Sequence, residues 1–152
     1  MQSFEQKFAV DNAGTHYWHG HTSLDRMDGL QGLIIIEDPN NPEEQALKEL
    51  YDEERVIWLQ DWWHKSGASL RTSLDSDVFV GPPQSILING KGRFGTCVEN
   101  PELPQCDENS CLVEDYVPPI PVEEGKTYLF HIINAGALMS LNWAMANHNM
   151  TG

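Results

Sequence analysis

Short apolar runs separated by turn sequences restrict the fold of this chain more than any other feature. The runs SFEQKFAV, GLIIIED, RVIWLQDWW, QSILING, KTYLFHIIN and LMSLNWAMA have the length and the β-branched or aromatic content of strands. Stretches rich in Gly, Pro and Asn, such as DPNNP, GPP and NGKG, lie between them and favour turns. The continuous apolar run in GLIIIED predicts a strand that is buried on both faces. We therefore predict an all-β chain of the sandwich or barrel class.

A polar segment divides these runs into two groups. The sequence EDPNNPEEQALKELYDEE is rich in acids, Pro and Asn, and we predict that residues 39–50 link residues 1–38 to residues 51–152. One short helix is expected from Pro42 to Leu50, because Pro and two acidic residues suit a first helical turn. Residues 1–38 are too few to fill a sandwich core, so we expect them to be the end of a larger domain. Residues 51–152 would form most of a second domain without its closing segment.

The charge balance limits the partners of the chain. It has 23 acidic and 9 basic residues and a formal net charge of -14. Nucleic acid and anionic membrane surfaces are poor partners for such a chain, since both require clustered Lys and Arg. No apolar run approaches the roughly 18 residues that a membrane span needs. The first residues also lack the basic and apolar regions of a signal peptide.

Three cysteines, Cys97, Cys106 and Cys111, lie close together in a polar stretch that contains Pro. Their spacing does not match the CxxC motifs of metal or redox sites, so we prefer a loop disulfide, which points to an oxidising compartment. The odd number leaves one cysteine without a partner inside the chain. The sequon NMT makes Asn149 a candidate glycosylation site, which is consistent with secretion.

The sequence GTHYWHGH, residues 14–21, places three histidines within six positions. Side chains alternate between the faces of a strand, so His19 and His21 are predicted to point the same way, about 6.6 Å apart along the strand. Two imidazoles in this arrangement can bind one metal ion or two adjacent ions. A pair of solvated strand histidines explains the same pattern. Two ligands are also fewer than a zinc or copper site requires.

The wider sequence resembles the multicopper oxidases. GTHYWHGH followed by DGLQGLIIIEDP is similar to the second copper-binding segment of that family. DWWHKS at 61–66, GPPQSILINGKGRF at 81–94 and LNWAMANHNMT at 141–151 resemble the second domain of its ascorbate-oxidase-type members. The likeness covers nearly the whole chain in order, and is more specific than the histidine pair alone.

This resemblance implies an oxidoreductase built from cupredoxin-like β-sandwich domains. A blue copper takes electrons singly from a phenol, an ascorbate-like reductant or a metal ion, and a trinuclear copper cluster reduces dioxygen to water. His19 and His21 match the family's ligands to the type 3 pair of that cluster, and imidazole suits copper. The family's other copper segments would precede residue 1 and follow residue 152. We therefore expect a fragment that is inactive alone and that works with the remaining domains of the same polypeptide.

The same resemblance assigns further residues. It pairs Cys97 with Cys106 and gives Cys111 a partner upstream of this chain. Phe79 matches a Trp that lies beside the substrate in plant ascorbate oxidases. Asp25 replaces a Gln, and a surface carboxylate is the preferred interpretation over a proton carrier. The resemblance, the cysteines and the sequon together predict an extracellular or secretory location.

The remaining candidates are interpreted as structural. His16 should face away from His19 on a regular strand. His64, His131 and His148 are expected to pack or to form hydrogen bonds, without binding metal. Trp62 and Trp63 should point to opposite faces, one into the core and one over a domain interface.

Two other functions stay open at this point. The chain could be a non-catalytic cupredoxin-like module for binding or assembly, with His19 and His21 as a vestigial metal site. A zinc hydrolase or hydratase could also use this His-x-His, but it would need a third ligand, which the sequence does not supply at a recognisable strand spacing.

Overall fold

A computed structural model describes residues 3–76, 78–92, 119–148 and 150. The described residues form mostly strands with two short helices, so the all-β prediction is confirmed. In chain order, the elements are β1 (Gly14–His19), β2 (Gln31–Ile36), α1 (Pro42–Lys48), β3 (Glu53–Trp62), α2 (Gly67–Asp75), β4 (Ser85–Ile88), β5 (Lys91–Gly92) and β6 (Tyr128–Asn134).

The strands form two sheets. β1 and β2 make an antiparallel pair, in register from Gly14 opposite Ile36 to His19 opposite Gln31. The second sheet has the order β5-β4-β3-β6, in which β3 runs parallel to β6 and the other pairs are antiparallel. β3 is hydrogen-bonded on both sides, and it therefore lies at the centre of the second sheet.

The core is built around β3. Its central residues Ile57 and Leu59 are buried, together with Trp63, Leu70 and Ile133. This pattern follows from the position of β3, because a strand paired on both sides and covered by neighbours can bury a continuous apolar run. The strands predicted from RVIWLQDWW, QSILING and KTYLFHIIN are confirmed as β3, β4 and β6.

Three expectations about strands are wrong. Residues 3–10 do not form a strand, and the side chains of Phe4 and Phe8 are largely exposed. β2 is half-buried, with Ile35 exposed, because β1 is its partner in a sheet of two strands. Residues 138–146 form no strand. The backbone N–H groups of Leu138 and Met139 donate instead to the carboxylate of Asp61, at 2.8 Å each.

One of the two helices was predicted. α1 matches the expected helix, and the Asn41 side chain caps it by accepting a hydrogen bond from the Glu43 N–H. α2 was not predicted, because its sequence GASLRTSLD contains Gly, Ser and Thr, which are typical of turns. It is capped by Ser66, and its Gly67 and Leu70 are buried. No helix of the described residues is both long and apolar enough to cross a membrane.

Candidate metal centre

His19 and His21 lie side by side where β1 ends. His19 is the last residue of β1, and His21 follows after Gly20, two residues beyond the strand. Their ring centroids are 6.2 Å apart, and the ring planes are inclined by only 23°. Although the strand is shorter than the sequence pattern suggested, the two imidazoles stack on one side of the chain, as alternation predicts. His19 is half-buried and His21 is exposed.

The hydrogen bond of His19 determines which ring nitrogen is available to a ligand. Its Nδ1 lies 2.8 Å from the carbonyl oxygen of Gly20. A carbonyl oxygen only accepts hydrogen bonds, so Nδ1 must carry the proton and donate it. In the neutral ring, Nε2 then keeps its lone pair, which is the state that metal coordination requires.

Gly20 allows close packing behind this pair. Its N–H donates to the Leu30 carbonyl oxygen at 2.8 Å, which continues the hairpin past the end of β1. A Cβ atom at position 20 would lie 2.6 Å from the Cβ of Asp25 and 2.9 Å from Cδ2 of Leu30. The absence of a side chain at Gly20 therefore lets the turn of residues 22–30 fold against the histidine segment. Asp25 is half-buried in this contact, and its interpretation as a surface carboxylate stays a prediction.

Tyr17 connects the histidine pair to the second sheet. Its ring centroid is 5.4 Å from that of His19 and 5.9 Å from that of Trp58 in β3, in an edge-to-face arrangement. The Arg26 guanidinium lies 6.0 Å from the centre of the Tyr17 ring and donates a hydrogen bond to the Gly136 carbonyl oxygen. Sequence reasoning missed these contacts. Strand alternation places Tyr17 on the same face as His19, but nothing in the sequence identifies Trp58 or Arg26 as its neighbours.

The other histidines have protein partners. His16 Nε2 lies 3.2 Å from the Asn12 carbonyl oxygen. His64 Nε2 lies 2.9 Å from the Ser85 hydroxyl, and His148 Nδ1 lies 2.8 Å from the Ala146 carbonyl oxygen. These bonds agree with the structural roles expected of the three rings. Across the ranges that the structure describes, no group of three or more His, Cys, Asp or Glu residues could hold a metal ion.

His131 lies in a hydrogen-bonded chain between the two sheets. Its Nδ1 is 2.6 Å from the Thr15 hydroxyl in β1, and its Nε2 is 3.3 Å from Glu54 Oε2 in β3. The Tyr51 hydroxyl donates to Oε1 of the same carboxylate at 2.5 Å. This bond lowers the pKa of Glu54, with a smaller contribution from His131, and it raises the pKa of Tyr51 to about 12.

The aromatic residues singled out in the sequence have different surroundings. Trp63 is buried, and its indole N–H donates to the Gly81 carbonyl oxygen at 3.2 Å. Trp62 is half-buried and packs beside Gly29, where a Cβ atom would lie 3.5 Å from the Trp62 ring. Trp63 thus enters the core, as predicted, whereas the domain-interface role expected of the other Trp stays a prediction. Phe79 is 71% exposed. Four further candidates lie outside the described residues: Cys97, Cys106, Cys111 and Asn149.

Comparison with known proteins gives consistent results over both parts of the chain. Family models described as multicopper oxidase match residues 1–41 and residues 53–151. L-ascorbate oxidase of Cucumis sativus is 39% identical over 98% of this chain, and that of Nicotiana tabacum is 35% identical over 98%. Laccase-3 of Thanatephorus cucumeris is 31% identical over 93%. The crystal structure of Fet3p, a multicopper oxidase that functions in iron import, is 31% identical with a TM-score of 0.42, covering 52% of this chain and 15% of that chain.

The chain is much shorter than these relatives. It spans 26% of each of the two ascorbate oxidases and 22% of the laccase. The family models nevertheless match in the order that the sequence motifs predicted, on either side of α1. This chain belongs to the multicopper oxidase family.

Proposed function

We propose that this chain is part of a copper-dependent oxidase that couples one-electron oxidation of a reductant to the four-electron reduction of dioxygen to water. In this proposal His19 and His21 bind the type 3 copper pair of a trinuclear cluster. The observation that carries it is the stacked imidazole pair, with a ring separation of 6.2 Å, inside a segment that matches the family model.

The donor set fits copper. Imidazole is a good ligand for copper, and the bond from His19 Nδ1 to the Gly20 carbonyl oxygen leaves Nε2 free to coordinate. When bound, copper would supply the electron storage and the oxygen binding that amino-acid side chains lack. The roles of this chain are to present the two rings together, to fix the tautomer of His19, and to pack the turn of residues 22–30 against Gly20.

The remaining parts of the proposal concern the longer polypeptide. Residues 1–38 would end a first cupredoxin-like domain, residues 39–50 would link it to a second, and residues 51–152 would form most of that second domain. The other copper ligands, including the blue-copper site, would come from the remaining domains of the same polypeptide. Family membership supports this division, since separate models match the two parts of the chain.

The reductant would be a phenol, an ascorbate-like molecule or a metal ion. The exposed ring of Phe79 could stack against a planar reductant but offers no indole N–H. An extracellular or secretory location belongs to the same proposal. It includes a disulfide between Cys97 and Cys106, and glycosylation at Asn149.

Oxygen uptake by the full-length polypeptide that contains this chain tests the function. Replacing His19 or His21 by Ala should reduce uptake by about 100-fold or more, because loss of a ligand exceeds the 10–100-fold effect typical of outer-shell partners. His16→Ala should have little effect. Unchanged uptake after both replacements would overturn the proposal. A full-length polypeptide without copper and without oxygen uptake would favour the binding or assembly module.

A further inference from the structure

One face of β1 joins the candidate metal ligand to the second sheet. Thr15, Tyr17 and His19 are alternate residues of the strand, so their side chains share a face. Thr15 contacts His131 in β6, and Tyr17 contacts Trp58 in β3. The third residue on this face, His19, has its ring 5.4 Å from the Tyr17 ring. The orientation of His19 therefore depends on how this face is held against the second sheet.

His131 is bonded on both of its ring nitrogens. The side chain is 10% exposed, and it bridges the Thr15 hydroxyl at 2.6 Å and the Glu54 carboxylate at 3.3 Å. An ionised carboxylate only accepts hydrogen bonds, so Nε2 of a neutral ring donates to Glu54. Nδ1 then has a lone pair and accepts the O–H of Thr15. The Glu54 carboxylate thereby fixes the direction of the bond that reaches β1.

We propose that His131 is a positioning residue for His19, because it ties the face of β1 that carries this ligand to Glu54 on the second sheet. This inference rests on the proposed copper function of His19. The effect passes along the strand from Thr15, through the Tyr17 contact with Trp58, to the His19 ring. An aliphatic side chain at position 131 would leave both the carboxylate and the hydroxyl without this partner.

The experiment uses ¹⁵N spectra of the histidine rings in the 152-residue chain at about pH 8, where an ordinary imidazole is neutral. In the metal-free protein, His131 should carry its proton on Nε2 and His19 on Nδ1. In Thr15→Val and in His131→Leu, the His19 ring should exchange between its two neutral tautomers. The ¹⁵N signals of its two ring nitrogens should therefore move toward an average. Cu(II) is then added, and the concentration that half-broadens the His19 signals should rise by about tenfold in each variant.

Three comparisons separate positioning from a general loss of structure. Thr15→Ser keeps the hydroxyl, so its His19 tautomer signal and its copper response should both match those of the wild-type chain. In both His19 measurements the double variant should equal either single variant, because each single change already removes the bond between Thr15 and His131. His16→Gln, a change on the opposite face of the same strand, should alter neither measurement.

The outcomes also separate this inference from the proposed function. If Cu(II) leaves the His19 signals of the wild-type chain unchanged, the copper function fails, while the metal-free tautomer signal still tests the positioning. If Cu(II) broadens His19 equally in the wild-type chain and in Thr15→Val and His131→Leu, with the tautomer also unchanged, the positioning role is overturned. Thr15→Val keeps the size of the side chain, so its result stands even where His131→Leu disturbs the fold.

Discussion

At the scale of single residues, Gly32 is required by the position of Trp18. The two residues are opposite each other in the β1–β2 pair, and a Cβ atom on Gly32 would lie 2.5 Å from Nε1 of Trp18. We expect Gly32→Ala to displace the indole and to lower the free energy of unfolding by about 1–3 kcal/mol, as overpacking does. Denaturant unfolding measures this loss. In a Trp18→Ala background the same change should have little effect, and a full loss there would contradict the steric cause.

Asp61 holds the turn that follows β6. The carboxylate is buried and accepts hydrogen bonds from the N–H groups of Ala137, Leu138 and Met139, at 2.7, 2.8 and 2.8 Å. Asp61→Asn removes the charge and turns an amide NH₂ toward these donors. We expect a loss of about 2–3 kcal/mol in unfolding free energy, measured by denaturant titration. Asp75→Asn, which removes an exposed ion pair with Arg71, is the control. It should change the free energy of unfolding by under about 1 kcal/mol.

Sequence reasoning predicted the arrangement of the histidine pair but not its surroundings. Alternation along a strand is a local property, so the shared side of His19 and His21 followed from their spacing. The contacts of Tyr17 with Trp58 and of His131 with Thr15 join residues that are far apart in the chain. Such contacts depend on how the sheets pack, and no short motif encodes that packing.

At the scale of elements, the apolar runs that became strands are those that have a hydrogen-bonded partner strand in one of the two sheets. β3 pairs with β4 on one side and with β6 on the other, and GLIIIED pairs with β1 as β2. Residues 3–10 have the same alternation but no ladder among the described residues. The helix α2 was missed for the opposite reason: its composition favours turns, while its Ser66 cap and the burial of Leu70 favour a helix. Tertiary contacts decided both cases.

The start of the β3–β6 pair should respond to acid. The Glu53 carboxylate accepts hydrogen bonds from Lys126 at 2.5 Å and from Arg55 at 2.6 Å. Both bonds lower the pKa of Glu53 below its ordinary value, and the bond from Lys126 has the larger effect. A carboxyl group whose pKa is lowered in the folded state stabilises the fold at pH values above its unfolded-state pKa. That stability is lost as the pH falls through the folded-state pKa. We therefore expect the melting temperature of the wild-type chain to decrease more steeply below about pH 4.5 than that of Glu53→Gln. Parallel curves for the two proteins would contradict this role.

At the scale of the whole molecule, large apolar side chains remain on the surface. Phe4 is 89% exposed, Leu50 68% and Phe79 71%, and Phe8 is also exposed. We expect the 152-residue chain alone to self-associate, with light scattering that rises with protein concentration and with salt, because salt screens the net charge of -14. Replacing Phe4 and Phe8 by Ser should reduce the scattering. A monomeric chain that unfolds cooperatively at all concentrations would contradict this expectation.

The family and the strand-rich class could be predicted from the sequence, whereas the domain division stays a prediction. The motifs around His19 and in residues 61–66 and 81–94 carry the family, because each combines turn residues with aromatic or ligand residues in a fixed order. The boundary at residues 39–50 was placed by composition alone. The structure puts α1 there, with none of its residues buried.

The most direct test of the copper assignment is pulsed electron paramagnetic resonance of the 152-residue chain loaded with Cu(II), which counts coordinated imidazoles by their nitrogen couplings. Two imidazoles are predicted for the wild-type chain and for His16→Ala, one for His19→Ala or His21→Ala, and none for the double variant. Imidazole couplings that persist unchanged when both His19 and His21 are replaced would contradict the assignment.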